Sequence, residues 1–196
     1  MIALKRAGLN TATVLSRALD VRDHYTAHHD ESVSALARRI GQELWLAEAQ
    51  IDAIGVIGIL HDIGKLAVPT EILIKPVKLD EHELAIVRQH PACGAEILRD
   101  VEFPWPVAAG VRQHHERLDG SGYPDGLKGG QILLEAQVVS VADIIDAMGS
   151  HRPYRPALGL SAARDELMAM RRTQLNADVV DAGLTILASG EFYYPA

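Results

Sequence analysis

The positions of apolar residues along the chain follow helical spacing. From His29 an inward stripe continues through Val33, Leu36 and Ile40, at intervals of three or four residues. His28 falls on a more polar stripe of the same segment. We therefore expect His29 to face the core and His28 to face solvent.

The long apolar run at 51–60 predicts a buried helix that Gly64 ends. Small residues such as Gly58 lie on one side of it, where a second helix could approach closely. We place Thr70 as the N-cap of a short helix and Asp80 as the N-cap of the next. The predicted helices cover residues 3–20, 23–46, 48–63, 71–74, 81–90, 91–98, 107–116, 131–148, 161–173 and 177–188.

No segment of strand length alternates between apolar and polar residues, so the predicted fold class is all-α, a compact helical bundle. The segment 118–130 contains six glycines and prolines. Tyr123 and Leu127 give it side chains that can pack, which indicates an ordered loop. We expect an N-terminal helix within 1–20, which would link to an upstream regulatory domain, followed by one domain over 21–196.

Composition narrows the class of protein. The chain has 196 residues, 48% of them hydrophobic, which suits one globular domain with a substantial core. Its formal net charge of -7 argues against nucleic-acid binding, and no apolar run is long enough to span a membrane. One cysteine, Cys93, excludes an intrachain disulfide and fits a reducing compartment. We therefore expect a cytoplasmic protein.

Several metal-binding residue types fall at helix ends or on inward faces. An adjacent histidine and aspartate are costly to bury without partners, and a divalent cation would remove that cost. Two ions close together are a standard device for phosphoester hydrolysis. The alternative is a chance gathering in a histidine-rich chain, but it explains poorly why three cations, Lys65, Arg152 and Arg155, follow the helices that carry the candidate ligands. Seven candidate ligands would suit two ions: His29, His61, Asp62, His90, His114, His115 and Asp143.

Five segments of the chain form a recognisable combination of motifs: His61-Asp62-Ile-Gly-Lys65, His90, the run 114–124 from His-His-Glu to Gly-Tyr-Pro, Val-Ala-Asp143-Ile-Ile-Asp146-Ala, and Arg152-Pro-Tyr-Arg155. Together they resemble the motifs of the HD-GYP family. That family is a subgroup of HD-domain metal phosphohydrolases that degrade cyclic di-GMP in bacteria. The resemblance covers about residues 20–187.

The resemblance implies a binuclear centre of divalent transition metals, iron or manganese, with a metal-bridging hydroxide as nucleophile. Asp62 would bridge the two ions and act in catalysis together with Lys65. The implied ligands are His29, His61, Asp62 and Asp143 for one ion, and Asp62, His90, His114 and His115 for the other. The implied substrate-binding residues are Lys65, Asp146, Arg152 and Arg155.

The resemblance also implies a role for the loop formed by Gly122, Tyr123 and Pro124. It would shape the rim of the site and offer a docking surface for GGDEF-type cyclase domains. A packed lid without substrate contact is the alternative interpretation. Some family members hold a third metal through a carboxylate at the position that Tyr25 occupies here, so we do not predict a third ion. Ser32 also departs from the family pattern, which usually has arginine there.

Three functions stay open at this point. The expected one is hydrolysis of cyclic di-GMP to linear pGpG, with GMP as a product of further cleavage. A second is hydrolysis of another cyclic dinucleotide, such as cyclic GMP-AMP. The third is a catalytically weak signalling module that binds a cyclic dinucleotide. The oligomeric state is not predicted.

Overall fold

The computed structural model describes residues 29–149 and 159–190. The predicted N-terminal helix, His28, Tyr25, Arg152 and Arg155 lie outside these ranges. The described α-helices are α1 His29–Glu43, α2 Glu48–Leu60, α3 Thr70–Leu73, α4 Glu81–Val87, α5 His90–Leu98, α6 Val107–Gln113, α7 Leu134–Gly149, α8 Leu160–Met170 and α9 Ala177–Ser189, with 3₁₀ turns at Ile63–Ala67 and Gly129–Gln131.

The all-α prediction is confirmed. Within the described ranges the extended pairing consists of two isolated bridges, one of which joins Asp119 to Lys128. None of the helices described is long and apolar enough to cross a membrane.

Helix α1 lies at the centre of the bundle and packs against α2 and α7. Its predicted apolar stripe is confirmed, because Val33, Leu36 and Ile40 have no exposed surface. Burial of each such side chain stabilises the fold by about 1.5–3 kcal/mol. The stripe therefore fixes the direction in which His29, at the start of the same helix, points.

Glycine allows α1 and α2 to approach closely, as the sequence suggested. A Cβ atom at Gly58 would lie 2.8 Å from the Cα atom of Ser34, so no larger residue fits without a shift. The Ser34 hydroxyl donates a 2.8 Å hydrogen bond to the carbonyl of Gly55. This contact brings the end of α2 next to the start of α1.

The predicted end of α2 was wrong by several residues. The helix ends at Leu60, and a 3₁₀ turn over Ile63–Ala67 follows His61 and Asp62. Gly64 lies inside that turn, where an added Cβ atom would be 1.8 Å from the main-chain oxygen of His90. Its role is therefore close contact: it lets the turn press against the start of α5.

The two predicted caps had different outcomes. Asp80 caps α4 and forms a capping box with Glu83, as expected. Thr70 was wrongly placed as an N-cap, because Pro69 takes that position and Thr70 is the first helical residue.

Helices α3 and α4 form an arm that contains no buried residue. Large aliphatic side chains on it are exposed, among them Ile74 and Val77. An ion pair of 2.6 Å between Lys75 and Glu83 joins the two halves of the arm. The arm leads directly into Arg88 and His90.

Candidate metal centre

Five imidazole rings from four parts of the chain form one continuous cluster. The centroids of His29 and His61 are 5.2 Å apart, as are those of His61 and His114 and those of His114 and His90. His115 lies 4.1 Å from His114 and 5.1 Å from His90. The histidines that the sequence placed in one site are thus brought together.

Three of these rings are tethered to the main chain in the same way. Each Nδ1 atom lies within hydrogen-bond distance of the carbonyl three residues earlier. A carbonyl can only accept, so each Nδ1 donates its proton, and in the neutral imidazole each Nε2 then carries a lone pair. The pairs are His61 with Gly58 at 2.8 Å, His90 with Val87 at 2.8 Å, and His114 with Val111 at 2.6 Å.

The Nε2 lone pairs point toward one another. Nε2 of His90 lies 3.2 Å from Nε2 of His114, although neither atom has a proton to donate. Nε2 of His61 is buried and has no hydrogen-bond partner within the described ranges. Facing lone pairs and an orphaned buried acceptor are unfavourable by themselves. A cation between them would satisfy all three, so the donor set fits a metal ion.

Asp62 connects the two ends of the cluster. Its Oδ1 atom is 3.3 Å from Nε2 of His90, and its Oδ2 atom is 3.5 Å from Nε2 of His61 and 3.8 Å from Nε2 of His29. Burial would raise the pKa of this carboxyl group. The positive charge of Lys65 and the neighbouring imidazoles instead hold the pKa well below its usual value, so Asp62 is a carboxylate. One oxygen faces each group of histidines, as a bridging ligand requires.

His29 is held by carboxylates rather than by the main chain. Its Nδ1 atom lies 2.6 Å from Oδ2 of Asp146, and its Nε2 atom lies 3.3 Å from Oδ1 of Asp143. Burial lowers the pKa of His29, but the bonds to Asp143 and Asp146 outweigh it and raise the pKa to about 10. An incoming cation would therefore displace a proton from this imidazole.

His115 is placed by an aromatic ring. The Tyr123 ring lies 4.8 Å from it at an interplanar angle of 31°, and burial lowers the pKa of His115 to about 3. Burial and the neighbouring imidazoles also lower the pKa of His114. Both imidazoles are therefore neutral and able to donate to a metal at pH 7.

The segment that carries Tyr123 is fixed by a buried carboxylate. Glu116, 3% exposed, accepts hydrogen bonds from the backbone N–H groups of Asp125 at 2.7 Å and of Leu127 at 2.9 Å. A Cβ atom at Gly122 would lie 2.4 Å from the main-chain nitrogen of Arg117, so the chain passes too close for any side chain. The Gly-Tyr-Pro loop is ordered, as predicted, and contacts the histidine cluster through its tyrosine.

Of the charged residues predicted to bind substrate, the structure describes Lys65 and Asp146. Lys65 lies 2.5 Å from Oδ2 of Asp62, at the edge of the cluster. Asp146, predicted to bind substrate, is 2% exposed, and its Oδ2 atom lies 2.6 Å from Nδ1 of His29. Arg152 and Arg155 fall outside the described residues.

Sequence reasoning missed three residues near the cluster. Glu116 stands inside the His-His-Glu segment, whose unusual density of polar residues was a usable signal. Asp30 is buried, and its Oδ1 atom lies 3.9 Å from Nδ1 of His61. Arg88 lies over the ring of Tyr123, with its Cζ atom 5.6 Å from the ring centroid. Nothing in the local sequence distinguishes Asp30 or Arg88 from surface charges.

Comparison with known proteins supports the motif-based resemblance. The HD domain family matches residues 13–179. The chain is 41% identical, over 88% of its length and 46% of the relative's, to the cyclic di-GMP phosphodiesterase response regulator RpfG of Xanthomonas campestris. It is 33% identical, over 95% of its length and 43% of the relative's, to 3'3'-cGAMP-specific phosphodiesterase 1 of Vibrio cholerae.

A solved structure has the same fold. An HDG"Y"P protein from Bdellovibrio bacteriovorus superposes with a TM-score of 0.69 at 24% identity, covering 83% of this chain and 52% of that chain. The present chain spans less than half the length of the two curated relatives above.

Proposed function

We propose, from the premise that this chain belongs to the HD domain family, that it is a metal-dependent phosphodiesterase acting on cyclic dinucleotides. One observation carries the proposal furthest. Three buried imidazoles have Nδ1 fixed as a donor, so their Nε2 lone pairs converge on a centre that also contains the Asp62 carboxylate. Such a donor set has little use except to hold cations.

Two ions would be held by two overlapping sets of residues that share Asp62. When bound, such ions polarise a phosphoryl oxygen and lower the pKa of water to about 7, which supplies a nucleophile at neutral pH. The first set is His29, His61, Asp62 and Asp143, and the second is Asp62, His90, His114 and His115. Iron and manganese are the ions we propose, because imidazole and carboxylate ligands suit both.

Other residues of the chain would orient the ligands and bind the phosphates of the substrate. Asp146 orients His29 through Nδ1, so that Nε2 points at the centre. Lys65 keeps Asp62 ionised and places an ammonium group beside the reacting phosphate. Arg152 and Arg155 are proposed to bind the phosphates through their planar guanidinium groups. Asp146, first assigned to the substrate, is proposed here to act on His29.

Cyclic di-GMP is the proposed substrate, with linear pGpG as product and GMP after further cleavage. The relative named as a cyclic di-GMP phosphodiesterase, at 41% identity, supports this choice. Cyclic GMP-AMP is the second candidate, because a relative at 33% identity is named for that substrate. Docking of GGDEF-type cyclase domains on the Gly-Tyr-Pro loop is kept as a proposal.

The test is a substrate panel with controlled metal content. Protein stripped with chelator is reloaded with Mn²⁺, or anaerobically with Fe²⁺, and incubated with cyclic di-GMP, cyclic GMP-AMP and cyclic di-AMP. Chromatography should show that cyclic di-GMP is consumed and that the chelated sample is inactive. Cleavage of cyclic GMP-AMP alone would favour the second candidate. Binding without cleavage would make the protein a cyclic-dinucleotide-binding module.

A further inference from the structure

We propose that Arg88 binds the phosphate of a cyclic dinucleotide that is not being cleaved, a role that rests on the proposed function. Arg88 directly follows α4 as its C-cap and lies two residues before His90, at the rim of the histidine cluster. Its guanidinium group lies over the Tyr123 ring, with Cζ 5.6 Å from the centroid. The same ring contacts His115 and, at 6.5 Å, His90.

The charge of Arg88 is available to a ligand. Its side chain is exposed, and among the described residues it makes no ion pair with a carboxylate. Three other arginines of the same ranges are instead paired with carboxylates. Arg38 lies 3.4 Å from Asp52, Arg112 lies 2.6 Å from Asp125, and Arg99 contacts both Glu96 and Asp100.

Contact with an aromatic ring prepares a guanidinium group for an anion. The π face attracts the cation without using its N–H groups in conventional hydrogen bonds, so those donors stay available. A phosphate can then accept two parallel hydrogen bonds from them. The ring also limits the rotamers of a long side chain, so less entropy is lost when the anion binds.

The position suits the second phosphate rather than the reacting one. The reacting phosphodiester must lie at the converging Nε2 atoms, beside Lys65 and Asp62. Arg88 lies against Tyr123, where the arm meets the cluster. A cyclic dinucleotide carries two phosphodiesters in one ring, so binding the first at the centre leaves the second near the rim. In a chain of net charge -7, an unpaired rim cation would also offset long-range repulsion of the dianion.

The experiment compares Arg88→Ala with Arg99→Ala, which removes the same charge from an exposed, ion-paired arginine. Metal-loaded proteins are assayed on cyclic di-GMP and on bis(p-nitrophenyl) phosphate, which has a single phosphodiester. Arg88→Ala should raise KM for cyclic di-GMP about tenfold. It should affect KM for the one-phosphate substrate much less, and Arg88→Lys should fall between. Equal KM ratios for Arg88→Ala and Arg99→Ala would overturn the assignment.

A binding measurement separates this inference from the proposed function. Dissociation constants for cyclic di-GMP are measured by calorimetry for the parent, Arg88→Ala and Arg99→Ala proteins. If the parent binds without cleaving, the proposed activity fails, and selectively weaker binding by Arg88→Ala still supports the inference. If the parent cleaves and both variants bind alike, the inference fails alone. A parent that binds none of cyclic di-GMP, cyclic GMP-AMP and cyclic di-AMP overturns both.

Discussion

The cluster contains two kinds of histidine. His61, His90 and His114 are aimed by their own main chain, through carbonyls three residues earlier. His29 and His115 are aimed by side chains from other parts of the sequence, Asp146 and Tyr123. A main-chain tether exists whenever the local turn forms, whereas a side-chain tether requires the correct tertiary fold. The side-chain-held pair should therefore be far more sensitive to substitutions outside the ligands.

The largest effect is expected where both kinds of histidine meet a shared carboxylate. Asp62→Ala removes the oxygen that faces His90 and the oxygen that faces His61 and His29. We expect both ions to be lost and the rate to fall by about 10³-fold or more. Elemental analysis measures the ions, and Asp100→Ala, an exposed aspartate, is the control. Full metal occupancy in Asp62→Ala would refute the bridging role.

Asp146→Asn tests how strongly His29 depends on the side chain that holds it. The amide is nearly the same size but cannot offer His29 a charged acceptor at 2.6 Å. Loss of such an outer partner usually weakens metal affinity about 10–100-fold. Competition with a fluorescent chelator measures this affinity, and Asp165→Asn is an exposed control. Unchanged affinity would show that His29 needs no carboxylate to point inward.

Glu116→Gln tests whether the loop holds Tyr123 against His115. The carboxylate accepts two backbone N–H bonds, and an amide would offer an N–H group to one of these donors. The free energy of unfolding should fall by about 1.5–3 kcal/mol, as measured by urea denaturation. The ring resonances of His115 should shift in NMR spectra. Glu96→Gln, an exposed counterpart, should change neither, and a shift of His61 alone would contradict this account.

A further effect, which needs no substitution, concerns pH in the ion-free protein. Lowered pKa values at His114 and His115 mean that the unfolded chain takes up protons first, so stability falls as pH drops below 6.5. The raised pKa of His29 adds stability below pH 6.5, and this is lost as pH rises toward about 10. Each group contributes a slope of about 1.4 kcal/mol per pH unit.

Stability of the chelated protein should consequently be greatest near pH 6.5. Thermal unfolding across pH 4–10 would measure the profile. If stability instead rises steadily to pH 10, Asp143 and Asp146 do not raise the pKa of His29. Saturating metal should flatten the alkaline arm, because the ion replaces that proton.

The sequence predicted which side chains come together in the cluster more completely than it predicted the contacts that hold them. The helical stripe through Val33 identified His29 as inward, and adjacent residue types marked His61 and Asp62. The contact between His29 and Asp146 joins residues 117 positions apart, so no local pattern could reveal it. The end of α2 was misplaced because Gly64 was interpreted as a terminator, whereas tertiary packing against His90 requires it.

The main-chain tethers have a consequence for local stability. Each accepting carbonyl belongs to the last turn of a helix, where C=O groups have no intrahelical partner. The imidazoles of His61, His90 and His114 therefore also serve as C-terminal caps of α2, α4 and α6. Fraying of a helix end and loss of an ion become the same opening event. Amide hydrogen exchange at these three helix ends should slow together as metal is added. The exchange rates of the backbone would then report how much of the metal site is filled.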